Sequence, residues 1–240
     1  MSTARQMPPG SLRAAFFYSR VDDQDLEFEV QSANQVQSPG GIAFFSRASS
    51  HLPVEGDGEG LFLRFAYQPW ENFQYYALVG SGHYTVQIPS VTVVNSLHGS
   101  RLGWTWGAGV KAVAVPDTMV TPAIAVDVGL QKSRYFLDRF DQENLSGDSV
   151  NERLDLYQYR VAIEASHQWA RWEPYGGVKW TRTQAHLKDL STGDRVGGAK
   201  DKVSPFVGLR LPVYPHESFM VEASFADGVR VGAGLELRFH

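Results

Sequence analysis

The sequence contains no cysteine in its 240 residues. That excludes a disulfide framework and any metal site built on thiolates. It has no run of about 18 apolar residues, so no segment reads as a transmembrane helix. It has no excess of positive charge: 22 Lys and Arg stand against 26 Asp and Glu, a formal net charge of −4. A nucleic-acid footprint is therefore not expected. There is no internal repeat, low-complexity tract or linker, and a single domain over 1–240 is expected. The opening stretch MSTARQMPPGSLRAAFFYS also lacks the apolar core of a secretory signal, because Pro8, Pro9 and Gly10 interrupt it. This counts against export unless these residues belong to a mature form.

What the chain does have is alternation. The stretch VRVGAGLELRF places Val229, Val231, Ala233, Leu235, Leu237 and Phe239 on one side. Arg230, Gly232, Gly234, Glu236 and Arg238 fall on the other. A period of two is a strand with one apolar face. Residues 101–114 repeat the pattern: Leu102, Trp104, Trp106, Ala108, Val110, Ala112 and Ala114 share a face opposite Arg101, Thr105 and Lys111. The same holds for 61–68, 73–81, 122–131, 157–169, 174–184 and 203–213. In the N-terminal fifth, DLEFEVQ alternates clearly, whereas LRAAFFYS and IAFFSRA carry apolar residues on both faces and have no assignable register. The whole chain predicts about ten to twelve strands and no helix.

Connections alternate in length from residue 60 onward. Short ones fall near 69–72, 115–118, 170–172 and 214–217, and long polar ones near 84–100, 134–152 and 188–201. Such alternation is expected of a membrane barrel, with tight turns on one side and loops on the other. The mean hydropathy of −0.25 does not oppose this, since alternating strands average out. The faces opposite the apolar ones carry seven basic and four acidic mid-strand residues. These are Arg64, Lys111, Asp127, Arg160, Glu164, Lys179, Arg210, Glu222, Arg230, Glu236 and Arg238. In a soluble barrel of this size the interior would have to hold several tryptophans, and it encloses more volume than side chains fill well. Turning the barrel inside out places apolar residues on lipid and the charges in the lumen. Trp70, Trp104, Trp106, Tyr157, Trp169, Trp172 and Trp180 then read as membrane-interface aromatics.

The last strand, with Gly234, Leu237 and Phe239 spaced towards a terminal aromatic, resembles the C-terminal assembly signal of bacterial outer-membrane β-barrel proteins. His240 after the aromatic and Gly232 at a usually polar position depart from that pattern. The resemblance implies an all-β fold, a single antiparallel up-and-down transmembrane β-barrel of about twelve strands, with ten as the alternative. It implies an outer-membrane location, contact with outer-membrane lipid, and recognition of the C-terminal strand by the barrel-assembly machinery. Residues 1–11 would be a flexible periplasmic segment.

Seven histidines raise the question of catalysis. His83 and His98 flank a serine-containing segment with Ser81, Ser96 and Ser100, and His186 lies near Asp189, but none sits in an enzyme-family motif. GDGE at 56–59 is too short for a calcium loop and reads as an exposed turn. The glycine-containing stretches at 80–85, 107–109 and 232–234 lie within strands and serve to bend them or to leave luminal space rather than cradle phosphate. No cofactor, metal or enzymatic activity is expected. The expected function is a narrow, porin-like passive channel for ions or small polar solutes. Its lining would be the inward charges above from Arg64 to Glu236, with a basic excess. The alternatives are a closed barrel presenting its extracellular loops to a partner and, third, an enzyme at the barrel rim.

Overall fold

The computed structural model describes residues 8–29, 51–89, 94–142, 145–225 and 228–239. They form eleven antiparallel strands: β1 Leu12–Glu29, β2 His51–Trp70, β3 Phe73–Pro89, β4 Val94–His98, β5 Arg101–Val115, β6 Ala123–Gln142, β7 Leu145–Ser166, β8 Glu173–Asp189, β9 Arg195–Tyr214, β10 Glu217–Phe225 and β11 Val229–Phe239. Each strand except β4 joins a closed ring in chain order. The ring is sealed where β1 meets β11, from Leu12 opposite Phe239 to Asp22 opposite Val229. The segment IAFFSRA lies outside the described residues.

The ring of ten matches the smaller of the two strand numbers expected. One difference from the sequence reading is larger. The segments 84–100, 134–152 and 188–201, expected as long loops, are mostly strand. GDGE at 56–59, expected as a turn, lies within β2. The hairpins extend well past the apolar zone because their polar outer faces, unlike lipid-facing ones, need no hydrophobic residue to remain strands.

Two zones differ in which face is apolar. In the first zone the apolar residues look outward: Val128 and Leu130 on β6, Ile163 on β7, Val203 and Val207 on β9 and Leu235 on β11 are all exposed. Arg13, Arg64, Lys111, Asp127, Glu164, Arg210 and Glu236 look inward and are buried. A fold that exposes its aliphatic residues and buries its charges is built for a hydrocarbon solvent. In the second zone the sense reverses. Leu26, Val86, Leu97, Leu137 and Leu154 point inward and keep 0–1% of their surface.

Each strand manages the reversal in its own way. On β3 the apolar phase slips, from Tyr75, Ala77 and Val79 outward to Tyr84, Val86 and Ile88 inward. On β1 the sequence phase does not slip. Instead a register shift between Val21 and Gln24, with Asp23 at φ 56°, turns Leu26 and Phe28 inward. This bulge adds one residue to β1 and flips every side chain beyond it.

The ring also narrows between the zones. β5 starts only at Arg101 and the β10–β11 hairpin turns at Gly228, so neither reaches the far end. There β4 fills the place of β5 by pairing with β3 and β6, and β1 meets β9 directly at Glu29 opposite Gly197. Ten strands therefore become eight. An eight-stranded barrel is just wide enough for side chains to fill, and the apolar cluster fills it. At the near end, Pro8–Ser11 are tied to β2: Gly10 N–H donates to the Gln68 carbonyl (2.7 Å) and Gln68 N–H to that of Ser11 (3.1 Å). Residues 1–7 of the expected N-terminal segment lie outside the described residues.

Candidate functional site

The lumen is built in three layers. The lowest is ionic. Arg210 on β9 donates from Nη1 to Glu173 Oε2 (2.8 Å) and from Nη2 to Glu236 Oε1 (2.8 Å), and Arg13 Nη1 reaches Glu236 Oε2 at 3.0 Å. Four strands, β1, β8, β9 and β11, are thereby tied across the barrel. Next to them the Lys111 ammonium donates to the Glu164 carboxylate, tying β5 to β7. Charged groups taken out of water are tolerated when each finds its counter-charge at hydrogen-bond distance.

The second ionic group centres on Asp127. Its Oδ1 accepts from the Tyr76 hydroxyl (2.7 Å) and from Arg160 Nη2 (3.2 Å), while Arg64 Nη2 lies 3.8 Å from Oδ2. Arg64 also stacks on the Tyr76 ring at 3.8 Å, a contact that holds a desolvated guanidinium. Tyr76 reaches across the lumen because Gly109 and Gly129 lack side chains: a Cβ on Gly109 would sit 2.2 Å from the tyrosine oxygen. Gly234 makes the same allowance for Phe17, whose Cβ would be 2.4 Å from an added methyl. Gly109 and Gly234 thus leave room inside the lumen, one of the two roles expected of such glycines.

Above these ion pairs lies a chamber of about 120 Å³, lined among others by Gln158, Arg160, Lys179, Glu222 and Arg230. These side chains are half-buried, whereas Lys111, Asp127, Glu164, Arg210 and Glu236 are buried. The chamber ceiling is the third layer. Tyr84 and Tyr135 stack at 5.0 Å between ring centroids, and behind them stands the apolar cluster of Leu26, Leu97, Leu137, Leu154 and Leu187. All ten luminal charges singled out from the sequence, Arg64, Lys111, Asp127, Arg160, Glu164, Lys179, Arg210, Glu222, Arg230 and Glu236, face inward. Five of them, Lys111, Asp127, Glu164, Arg210 and Glu236, keep 2–4% of their surface. A side chain lining a watered pore keeps much more.

Sequence reasoning missed Arg13 and Glu173. Arg13 alternates with Leu12, Ala14 and Phe16, a signal hidden by the apolar neighbours on both faces of that stretch. Glu173 read as part of a turn, and it is the first residue of β8. The apolar ceiling was missed too. Its signal was the phase slip, visible at Tyr84, Val86 and Ile88 and again at Leu154 and Leu156.

The other expected sites are placed as follows. Trp70, Trp169 and Trp172 stand exposed at the short-turn end, and Trp104, Trp106 and Trp180 stand on the outer wall towards the far end with Tyr157. Leu237 and Phe239 of the C-terminal strand point outward and are about half exposed, while Gly234 points inward. His98 forms the tightest histidine cluster. Ser96 Oγ lies 2.9 Å from His98 Nε2, Asp141 Oδ2 lies 3.6 Å from the same nitrogen, and Thr85 Oγ1 faces Nδ1 at 3.3 Å. An acid that orients a catalytic histidine does so through the nitrogen opposite the nucleophile. Here serine and carboxylate share one nitrogen. His167 Nδ1 meets Asp117 at 2.8 Å and joins two short turns.

No known protein-family model matches the chain, and no curated protein matches it. Solved structures do. The outer membrane protease OmpT from Escherichia coli superposes with a TM-score of 0.59 over 97% of this chain and 98% of that one, at 12% identity. OprG of Pseudomonas aeruginosa gives 0.47 at 9% identity over the full length of both chains. The beta domain of the Bordetella autotransporter BrkA gives 0.48 at 13%, covering 97% and 100%. At such identity the likeness to OmpT speaks to fold alone, and that fold is a bacterial outer-membrane β-barrel.

Proposed function

We propose that this outer-membrane barrel is closed, and that it works by holding a rigid eight-stranded wall above the membrane for a partner, rather than by conducting. The observation that carries this reading is the pair of buried side-chain layers in series along one lumen. The lower barrier is the buried network of Arg13, Glu173, Arg210 and Glu236. The upper one is the apolar cluster around Leu97 and Leu154. A channel needs binding sites that an ion can enter and leave. A paired charge at 2–4% exposure offers its counter-charge instead, and a packed leucine cluster offers no ligand at all. The extended strands fit the same reading. Most of what the sequence presents as loops is ordered sheet with a polar outer face, a surface suited to docking.

The porin-like reading draws its support from the chamber, whose walls carry Arg160, Lys179 and Arg230 against Glu222. Planar-bilayer recording of the refolded protein separates the two. Stable insertion without discrete steps, from protein that migrates as folded, is the expected result. Reproducible single-channel steps, shifted in ion preference by Lys179→Glu, would overturn closure and restore the channel.

A further inference from the structure

The outer wall is not electrically uniform where it leaves the apolar belt. On β6 the outward series Ile124, Val126, Val128, Leu130 ends in Lys132 and Arg134. On β8 the outward series Val178, Trp180 ends in Arg182. Between them on β7, Val161 and Tyr159 are followed by Tyr157, Asp155 and Arg153. The register brings these into rows: Trp106, Lys132 and Tyr157 in one, Trp104, Arg134 and Asp155 in the next. On the other side of the barrel the first charges above the belt are Glu59, Asp57 and Glu55 on β2, with Arg20 and Asp22 on β1. One side is basic and the other acidic.

The basic side is also constructed. Arg134 stands 5.3 Å over the Trp104 ring and Lys132 4.9 Å over that of Tyr157. Arg134 and Arg153 both lean on Asp155, at 2.6 and 3.1 Å. One carboxylate so holds two guanidiniums side by side, and the aromatic rings sit against the charged ends of Arg134 and Lys132. The arrangement leaves more positive than negative charge on this patch: Lys132, Arg134, Arg153 and Arg182 against Asp155, with Asp201 3.9 Å from Arg182. Below the Lys132 row come Ala108, Leu130, Tyr159 and Arg182, and beneath these runs an unbroken apolar row, Val110, Val128, Val161, Trp180 and Val203.

We propose that this β6–β8 face is a binding site for one phosphorylated, acylated lipid of the outer leaflet, its phosphate on Lys132, Arg134 and Arg182 and its chains along the valine row. Cations in fixed positions bind phosphate through charge-assisted hydrogen bonds. Only a ligand that is anionic at the headgroup level and apolar beneath it matches the cations and the apolar row at once. A free phosphate would use the cations alone, and an acidic protein would leave the apolar row to bulk lipid. The inference does not depend on whether the lumen conducts.

The test is native mass spectrometry of the folded barrel in a neutral detergent. A bis-phosphorylated acylated disaccharide lipid and its dephosphorylated form serve as probes. One phosphorylated lipid should be retained per barrel, about tenfold more tightly than the dephosphorylated one. Lys132→Gln with Arg182→Gln should remove most of that difference. Lys132→Arg with Arg182→Lys should keep it, and so should Asp57→Asn with Glu59→Gln on the acidic side. Heat-modifiable gel migration reports whether each variant is folded. Equal retention of both lipids overturns the proposal, as does equal retention by folded wild type and the glutamine variant. Paired barrels that need both Lys132 and Glu59 would also overturn it, making the face an interface between copies.

Discussion

The inward charges are most informative one residue at a time. Lys111 and Glu164 form a buried pair that ties β5 to β7. Removing one member leaves the other desolvated without its counter-charge, which costs about 3–5 kcal/mol, whereas replacing both with apolar residues of similar volume is often neutral. Lys111→Met alone should therefore lower the urea midpoint of detergent-refolded protein strongly, and Lys111→Met with Glu164→Leu should recover most of the loss. Equal loss in the single and double variants would mean that the pair is not the reason for the cost. Space matters at the same scale. Gly109→Val puts a side chain where the Tyr76 hydroxyl now lies, 2.2 Å from an added Cβ. It should displace Tyr76 from Asp127 and destabilise the barrel. A Tyr76→Ala background should reduce that penalty, which a double-mutant cycle would read.

Facing is decided strand by strand. On β6, Val128 is 45% exposed and lies midway along an outward apolar run. Val128→Arg should cost roughly 2–4 kcal/mol if that position sits at mid-bilayer, and clearly less in a position near the interface. Leu130→Arg, one step nearer the basic rows, should cost less than Val128→Arg. Refolding titrations into vesicles would show the order, and a reversed order would move the membrane boundary. The reversal of apolar phase leaves a local signal in β3, β7 and β8, at residues such as Tyr84, Val86, Leu154 and Leu187, although it was not read there. In β1 it leaves none. There the sequence keeps one phase from Leu12 to Phe28, and only the bulge at Asp22–Asp23 flips the second half. A local backbone conformation at two residues carries no hydropathy signal.

The whole molecule sets the lumen. On the proposed closure by two layers in series, opening one leaves the other shut. Leu137→Ser with Leu154→Ser should loosen the eight-stranded end, so that protease added outside vesicles cuts within 133–156 while the belt stays protected. Those two changes alone should not produce conductance. Adding Arg210→Ala and Glu236→Ala should, provided the variant still inserts. Conductance from the leucine variant alone would show that the lower network does not block the path.

How much the sequence decided follows from the physics of each scale. Alternation of side chains is a local property, and it announced strands. Charges such as Arg160 and Lys179 on the face opposite aliphatic residues announced a lipid-facing exterior. Terminal Gly234, Leu237 and Phe239 resembled the closing strand of an outer-membrane barrel, the fold that the structure has. The meeting of Arg13 with Glu236, across 223 positions of sequence, has no local signature, because it depends on where the ring closes. Nor has the loss of two strands between the zones, which follows from the β10–β11 hairpin ending early while β4 takes the place of β5. That narrowing turned segments read as loops into a filled eight-stranded barrel. Whether a lumen is open is a matter of how many strands enclose it and which side chains meet inside, and only the closed ring brings them together.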